Sequence, residues 1–284
     1  MNGALLEKIR HPVLRAGWAG TRGLHLIAVV GVLIVAAQWV HDWAPDIVTL
    51  GTRNPRFAVD YHILIGATQR FLDGGPFYDP RQLSGPYDWD GSVQGWWPVL
   101  YPPQSIALFA PFTVVPPILW WAIPLVTVVA IVAWHRPAPL VWPLLALCVW
   151  WPATTIKIVT GNPVIWAAAA VALGTIWHWP AALALVKPSL FPLAMIGVRD
   201  RRWWLVAFAG ALPFAWMLPE YFRALGNFQS GPGYSIQEVP LLLIPILAWV
   251  GSTRVGPRPS LRFSRWWRPA ATPSPSPTAL SGRG

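Results

Sequence analysis

From residue 100 onward the chain is built from long apolar runs, broken by proline and separated by single cations. No Asp, Glu, Lys or Arg lies between Asp90 and Arg136, between Arg136 and Lys157, or between Lys157 and Lys187, gaps of 45, 20 and 29 residues. A helix needs about 20 mostly apolar residues to cross the hydrocarbon of a bilayer. The pattern predicts spans over Gln104–Val115, Pro117–Trp134, Leu140–Trp151, Pro163–Trp177, Trp179–Val198, Trp203–Leu218 and Val239–Val250, and an earlier one over Leu24–Val40. That makes about eight. Several are too short to cross alone and almost every one contains proline, so broken or re-entrant helices are expected. The fold class is an all-α polytopic membrane protein.

One stretch departs from this pattern. FAVDYHILIGATQRFLDGGPFYDP, Phe57 to Pro80, is polar, acidic and rich in turn residues. Within it Tyr61, Leu64, Ile65, Thr68 and Phe71 or Leu72 recur at steps of three and four, which predicts an amphipathic interfacial helix over Val59–Leu72. Asp73-Gly74-Gly75-Pro76 stops it, because consecutive glycines and a proline cannot continue a helix cheaply. Trp89, Trp96, Trp97 and Tyr101 then mark the return to the membrane, as aromatic rings with a polar edge favour the headgroup level.

Composition agrees: 55% of the 284 residues are hydrophobic and 11% charged, where an ordinary soluble domain carries about 25% charged residues. The net charge of +10 does not point to nucleic acid, because the basic groups are not gathered beside base-contacting groups. Lys8, Arg10, Arg15 and Arg22 stand in residues 1–23 against one acid, and six Arg follow Gly251 with no acid. Cationic flanks stay inside, so both termini read as cytoplasmic in a multi-pass protein of the cell membrane. The loop 41–100 holds seven of the eleven acidic residues and reads as external. Residues 1–251 form a single membrane domain, and 252–284, ending ATPSPSPTALSGRG, have the composition of a disordered cytoplasmic tail. The lone Cys148 reads as packing. Leu24–Val40 is long for a signal-peptide core and no small-residue cleavage site follows, so it reads as a retained helix.

Chemistry concentrates on Asp60. It falls at the start of the predicted helix, where the dipole and free N–H groups favour a negative charge; a helix-capping aspartate explains the position equally well. Asp60 and Asp73, 13 residues apart on one helix, lie about 20 Å from each other by helical rise. They are therefore not a glycosidase pair, whose carboxylates stand about 5–10 Å apart. A single base suits transfer from a phosphate-linked sugar, since the phosphate leaves without a dedicated acid. Lys187 lies near the middle of a predicted span, an expensive depth for a cation, and is a candidate for binding the phosphate. Lys157 reads as an interfacial anchor. Arg53, Arg56, Arg70 and Arg81 are alternative phosphate partners, and His62 is a possible second acid or base. Thr160–Val164, TGNPV, is explained by a turn. There is no glycine-rich phosphate loop, no Cys/His metal cluster and no catalytic triad spacing.

The runs VDYHILIGATQRFLDGGPFYDP and LYPPQSIALFAPFTVVP, followed by TGNPVIWAAAAVALG and AALALVKPSLFPLAMIGVRDRRWW, resemble in their order the polyprenol-phosphate-dependent glycosyltransferases of the GT-C superfamily. Family 87, which includes α-mannosyltransferases, is the nearest. The matching residues are Asp60, Tyr61, Ala67, Gly74 or Gly75, Tyr78-Asp79 and Tyr101-Pro102-Pro103, and the likeness spans roughly residues 25–220. TGNPV stands where the family has Gly-Gln-x-Asn, and the chain is shorter than typical members. The resemblance implies Asp60 as catalytic base on the external face, and its motifs add Tyr61, Tyr101 and Lys187 to His62 and Arg70 as candidate substrate contacts. It implies a polyprenyl-phosphate-linked hexose as donor, a lipid or glycan as acceptor and membrane lipids around the chain; no motif in the sequence requires a cofactor or a metal. A transporter or flippase for a lipid-linked sugar and a non-catalytic assembly partner are the alternatives.

Overall fold

The structure is a computed structural model that describes residues 57–88, 97–139, 141–230 and 239–252, with helical positions scattered from Gly23 to His41 in the first predicted span. Expectations for residues 1–22, Arg53, Arg56, Trp89, Trp96 and the tail beyond Ser252 lie outside the described residues. Helix dominates what is described.

The predicted helix is present as α1, Val59–Leu72. Tyr61, Leu64, Ala67 and Thr68 form its buried stripe. It ends at Asp73, and Gly74 follows at φ 87°, a left-handed conformation that glycine adopts without a Cβ penalty. A short helix α2, Pro80–Leu83, is closed by a capping box: Asp79 accepts from the Arg81 N–H and the Gln82 side chain accepts from the Asp79 N–H. Strand β1, Tyr87–Asp88, then pairs in parallel with β2, Phe228–Ser230.

The apolar runs differ from one another in how far they are helical. Gln104–Val115 is no single span: a 3₁₀ turn at Pro103–Ser105, the short α3 at Ile106–Phe109 and a second 3₁₀ turn at Ala110–Thr113 follow in succession. Ile118–His135 is one helix, α4. Val141–Trp150, α5, bends by 59° into Pro152–Val159, α6; Pro152 lacks the N–H that would continue the ladder. Val164–Trp177, α7, is buried along most of its length by Val164, Ile165 and the alanines 167–170, small residues that let backbones approach closely. The stretch Trp179–Val198 is divided into 3₁₀ turns and the single α-turn α8, Phe191–Ala194. Prolines 180, 188 and 192 each stand in the first turn of a piece. Arg201–Ala211, α9, runs through a 3₁₀ segment into Leu218–Asn227, α10, and Val239–Val250 is α11.

Among the described residues two helices are long and apolar enough to cross a membrane, α4 and the continuous Arg201–Asn227, or three if α5 and α6 form one bent span. The sequence pattern predicts about eight. The predicted span Leu24–Val40 lies largely outside the described residues; for the rest, the difference comes from proline-broken runs and from α7, Pro188–Gly197 and α11, which are apolar but shorter. The long helices carry bare apolar flanks: Val126 and Val129 are each 66% exposed on α4, and Leu205 and Leu212 each 68% on Arg201–Asn227. Contiguous apolar surface of this kind suits lipid rather than water.

Candidate functional site

Asp60 lies in the first turn of α1, half-buried, and its side chain caps nothing: the N-cap is Ala58, in a left-handed conformation with φ 56° and without a side-chain hydrogen bond. The capping role open to Asp60 from its sequence position is not the one it takes. The start of α1 is closed instead by the turn after α6. Ala58 N–H donates to the Val159 carbonyl at 2.9 Å and Tyr61 N–H to the Thr160 carbonyl at 3.1 Å, satisfying backbone donors that a helix start leaves open.

That docking carries two side chains to the carboxylate. Thr160 Oγ1 donates to Asp60 Oδ2 at 2.7 Å and Asn162 Nδ2 donates to the same oxygen at 2.8 Å. Both bonds fall on one oxygen, and among the described residues Oδ1 has no hydrogen-bond partner. The carboxylate is thereby held in one orientation with a single oxygen presented. The Asn162 amide is fixed from its other side, where Oδ1 accepts from Tyr101 Oη at 3.2 Å and from the Val164 N–H at 3.1 Å. A flipped amide would set its NH₂ against the Val164 N–H and its oxygen against the Asp60 carboxylate, so the orientation is the one the network requires.

The turn is pinned from below. Trp120 Nε1 donates to the Gly161 carbonyl at 2.8 Å and Trp121 Nε1 to the Ile158 carbonyl at 2.7 Å. Gly161 stands at φ 70°, and a Cβ there would lie 2.8 Å from Trp121 Cζ2 and 2.9 Å from Tyr61 Cβ. Only glycine satisfies both the backbone conformation and the contact.

Of the residues expected to bind substrate, Tyr101 joins the site through Asn162, and Lys187 Nζ lies 5.8 Å from the centre of the Tyr101 ring, within cation–π reach. Lys187 is buried at an extended residue between two 3₁₀ pieces. The backbone of Tyr101 is held by Tyr78 Oη, which donates to its carbonyl at 2.8 Å. Burial, with Tyr221 and Glu220 nearby, pushes the Tyr78 phenol well above its ordinary pKa, so this donor keeps its proton.

Tyr61 is not brought to the site. Its ring is buried against Trp120 and Trp121, and its hydroxyl points to the Phe112 carbonyl at 3.4 Å; burial raises its pKa. It is a packing residue that seats α1. His62 and Arg70 lie elsewhere, in an open groove of about 280 Å³ that they line with Gly66, Asp79, Gln82 and Trp97. Arg70 donates from Nε to the Pro76 carbonyl at 2.8 Å and from Nη2 to the Phe77 carbonyl at 3.1 Å, which ties the turn after α1 back onto the helix. Lys157 contributes backbone, its carbonyl accepting from the Asn162 N–H. Among the described residues no group of three or more His, Cys, Asp or Glu side chains gathers as a metal site.

Thr160 and Asn162 are the residues that sequence reasoning missed. A polar pair buried at the join of two apolar helices was the available signal, since such groups need partners.

Comparison of the chain with family models, with curated proteins and with solved structures finds no match.

Proposed function

We propose that this chain is a membrane glycosyltransferase that moves a hexose, mannose by its family resemblance, from a polyprenyl phosphate to a lipid or glycan acceptor on the external face. In this reading the chain has a GT-C-like arrangement of about eight crossings, the first of them in Leu24–Val40, with both termini cytoplasmic and the loop 41–100 outside.

The observation that carries the reading is the carboxylate of Asp60, held through one oxygen by Thr160 and Asn162 with the other oxygen open. Asp60 Oδ1 takes the proton of the acceptor hydroxyl as that oxygen forms its bond to the sugar C1. The bond from C1 to the phosphate oxygen breaks, the polyprenyl phosphate leaves with the electron pair, and the configuration at C1 inverts. Such proton removal contributes about 10²–10⁴ in rate. A donor anchored by its lipid tail meets a base stationed at the same depth, so the membrane supplies much of the positioning. Lys187, behind Tyr101, is the cation for the phosphate.

The topology has support of its own. Asn227 Nδ2 donates to the Gln82 carbonyl at 2.8 Å, so the Asn227 end of the Arg201–Asn227 helix is beside the loop. Its basic end, at Arg201 and Arg202, lies about 40 Å away by helical rise. Read as one crossing, this helix would put the acidic loop and the cationic turn on opposite sides, in keeping with the distribution of charge across membranes.

Membranes containing the protein, incubated with labelled polyprenyl-phosphate hexoses, should form a labelled product, and Asp60→Asn should abolish it while leaving insertion intact. Transfer retained by Asp60→Asn would remove this reading. Movement of the labelled lipid across the bilayer without transfer would instead favour a transporter, for which the buried Lys187 between two 3₁₀ pieces is the supporting feature.

A further inference from the structure

The outward side of α9 begins on a cation. At 3.6 residues per turn Trp204, Leu205, Phe208 and Leu212 all lie within about 60° of Arg201 around the helix, and all five side chains are exposed. Trp203 takes the opposite side: it is 1% exposed, and its Nε1 donates to the Ala194 carbonyl at 2.8 Å. The rest of the chain therefore covers one side of the helix, and the stripe headed by Arg201 runs down the other. We infer that this stripe is a binding site for an anionic phospholipid, with the phosphate on Arg199, Arg201 and Arg202 and an acyl chain along Leu205, Phe208 and Leu212.

The charge at the head of the stripe is not balanced within the protein. Arg199, Arg201 and Arg202 are exposed and, among the described residues, pair with no carboxylate. The acid among them, Asp200, is spent on the helix: its Oδ1 accepts from the Arg202 N–H and caps α9. A guanidinium offers phosphate two parallel N–H donors, and the start of a helix favours the same negative charge.

The apolar part has the matching length. From Arg201 to Leu212 the helix rises about 16 Å, close to one leaflet, which is half of a hydrocarbon core about 30 Å thick. Trp204 marks the join between the two zones. Its Nε1 donates to the Val198 carbonyl at 3.0 Å and its ring stacks on Phe208, with 5.9 Å between centroids, so it is fixed at the headgroup level that tryptophan favours. A soluble polyanion would meet the arginines and leave the stripe uncovered; a phospholipid covers both, and a net negative headgroup answers the three cations. No residue of the Asp60 site takes part.

The test is retention of labelled phosphatidylglycerol and phosphatidylcholine, with the same acyl chains, on the full chain in neutral detergent. Phosphatidylglycerol should bind about a hundredfold tighter at low salt, since three arginines near the headgroup contribute about fivefold each, and added salt should narrow the gap. Arg201→Gln should lower its affinity about fivefold, Arg201→Lys should recover most of that, and Arg199→Gln, Arg201→Gln and Arg202→Gln together should erase the preference. Arg223→Gln, an equal loss of charge near the other end of the same continuous helix, should leave it in place. Leu205→Gln with Phe208→Gln should weaken both lipids, and glycerol 3-phosphate, which lacks the chains, should displace neither. Equal affinity for the two lipids, equal loss from Arg201→Gln and Arg223→Gln, or displacement by glycerol 3-phosphate overturns the inference.

Discussion

Two of the polar breaks in the chain, residues 73–88 after α1 and Thr160–Pro163 between α6 and α7, are polar for opposite reasons. The exposed part of the first serves its own turn, while Tyr78 and Gln82 within it are buried and hold Tyr101 and Val99. Gly74 turns the chain, Asp79 caps α2, Arg70 ties back the carbonyls of Pro76 and Phe77, and much of the segment is exposed. The second is buried, with Thr160 and Asn162 at 8% and 6% exposure, and its side chains serve a carboxylate a hundred residues earlier. A surface break is polar because water is its partner. A buried one is polar because something specific has to be held.

Four substitutions break or sharpen that contrast. The largest effect belongs to Asp60→Asn, which should lower hexose transfer by about 10²–10⁴, read with labelled donor in membranes where the protein still inserts. Asn162→Ala should lower transfer by about tenfold to a hundredfold, because a reacting group displaced by about 1 Å costs that much. The same variant leaves the Tyr101 hydroxyl and the Val164 N–H without their partner, a destabilisation of about 1–3 kcal/mol, visible as a lower unfolding midpoint.

The remaining two compare glycines of like backbone in the two breaks. Gly161→Ala forces a side chain into φ 70° and against Trp121. It should cost about 1–3 kcal/mol and also reduce transfer, since Thr160 and Asn162 move with it. Gly74→Ala meets φ 87° but open space; it should cost about 1 kcal/mol and leave transfer at the wild-type rate. Equal loss of transfer in both would erase the distinction between the breaks.

The sequence spoke plainly where the information was local. The three- and four-residue spacing of Tyr61, Leu64 and Thr68 marks α1 to its ends, and uninterrupted apolar runs mark α4, α7 and α11 within a residue or two. Proline signalled broken helices in Trp179–Val198, but which piece becomes 3₁₀ depends on packing against α7, beyond local propensity. In the site, Asp60 and Lys187 stand out in the sequence as ionisable residues in unusual settings, and Tyr101 is reached only through the family resemblance. Thr160 and Asn162 do not stand out, because a Gly-Asn-Pro turn explains itself locally and nothing nearby reveals that the carbonyls of Val159 and Thr160 close a helix on the far side of the chain. Tyr61 illustrates the converse: an aromatic beside a candidate base reads as a contact in the sequence, whereas in the structure its ring packs against the indoles of Trp120 and Trp121.

The central claim is that the buried turn orients the base. It is tested most directly by the rate of labelled-hexose transfer in a Thr160→Val, Asn162→Leu double variant beside Asp60→Asn and wild type. Groups that act as a unit lose function together, so the double variant should fall to within about tenfold of Asp60→Asn. A double variant that transfers at the wild-type rate would contradict it.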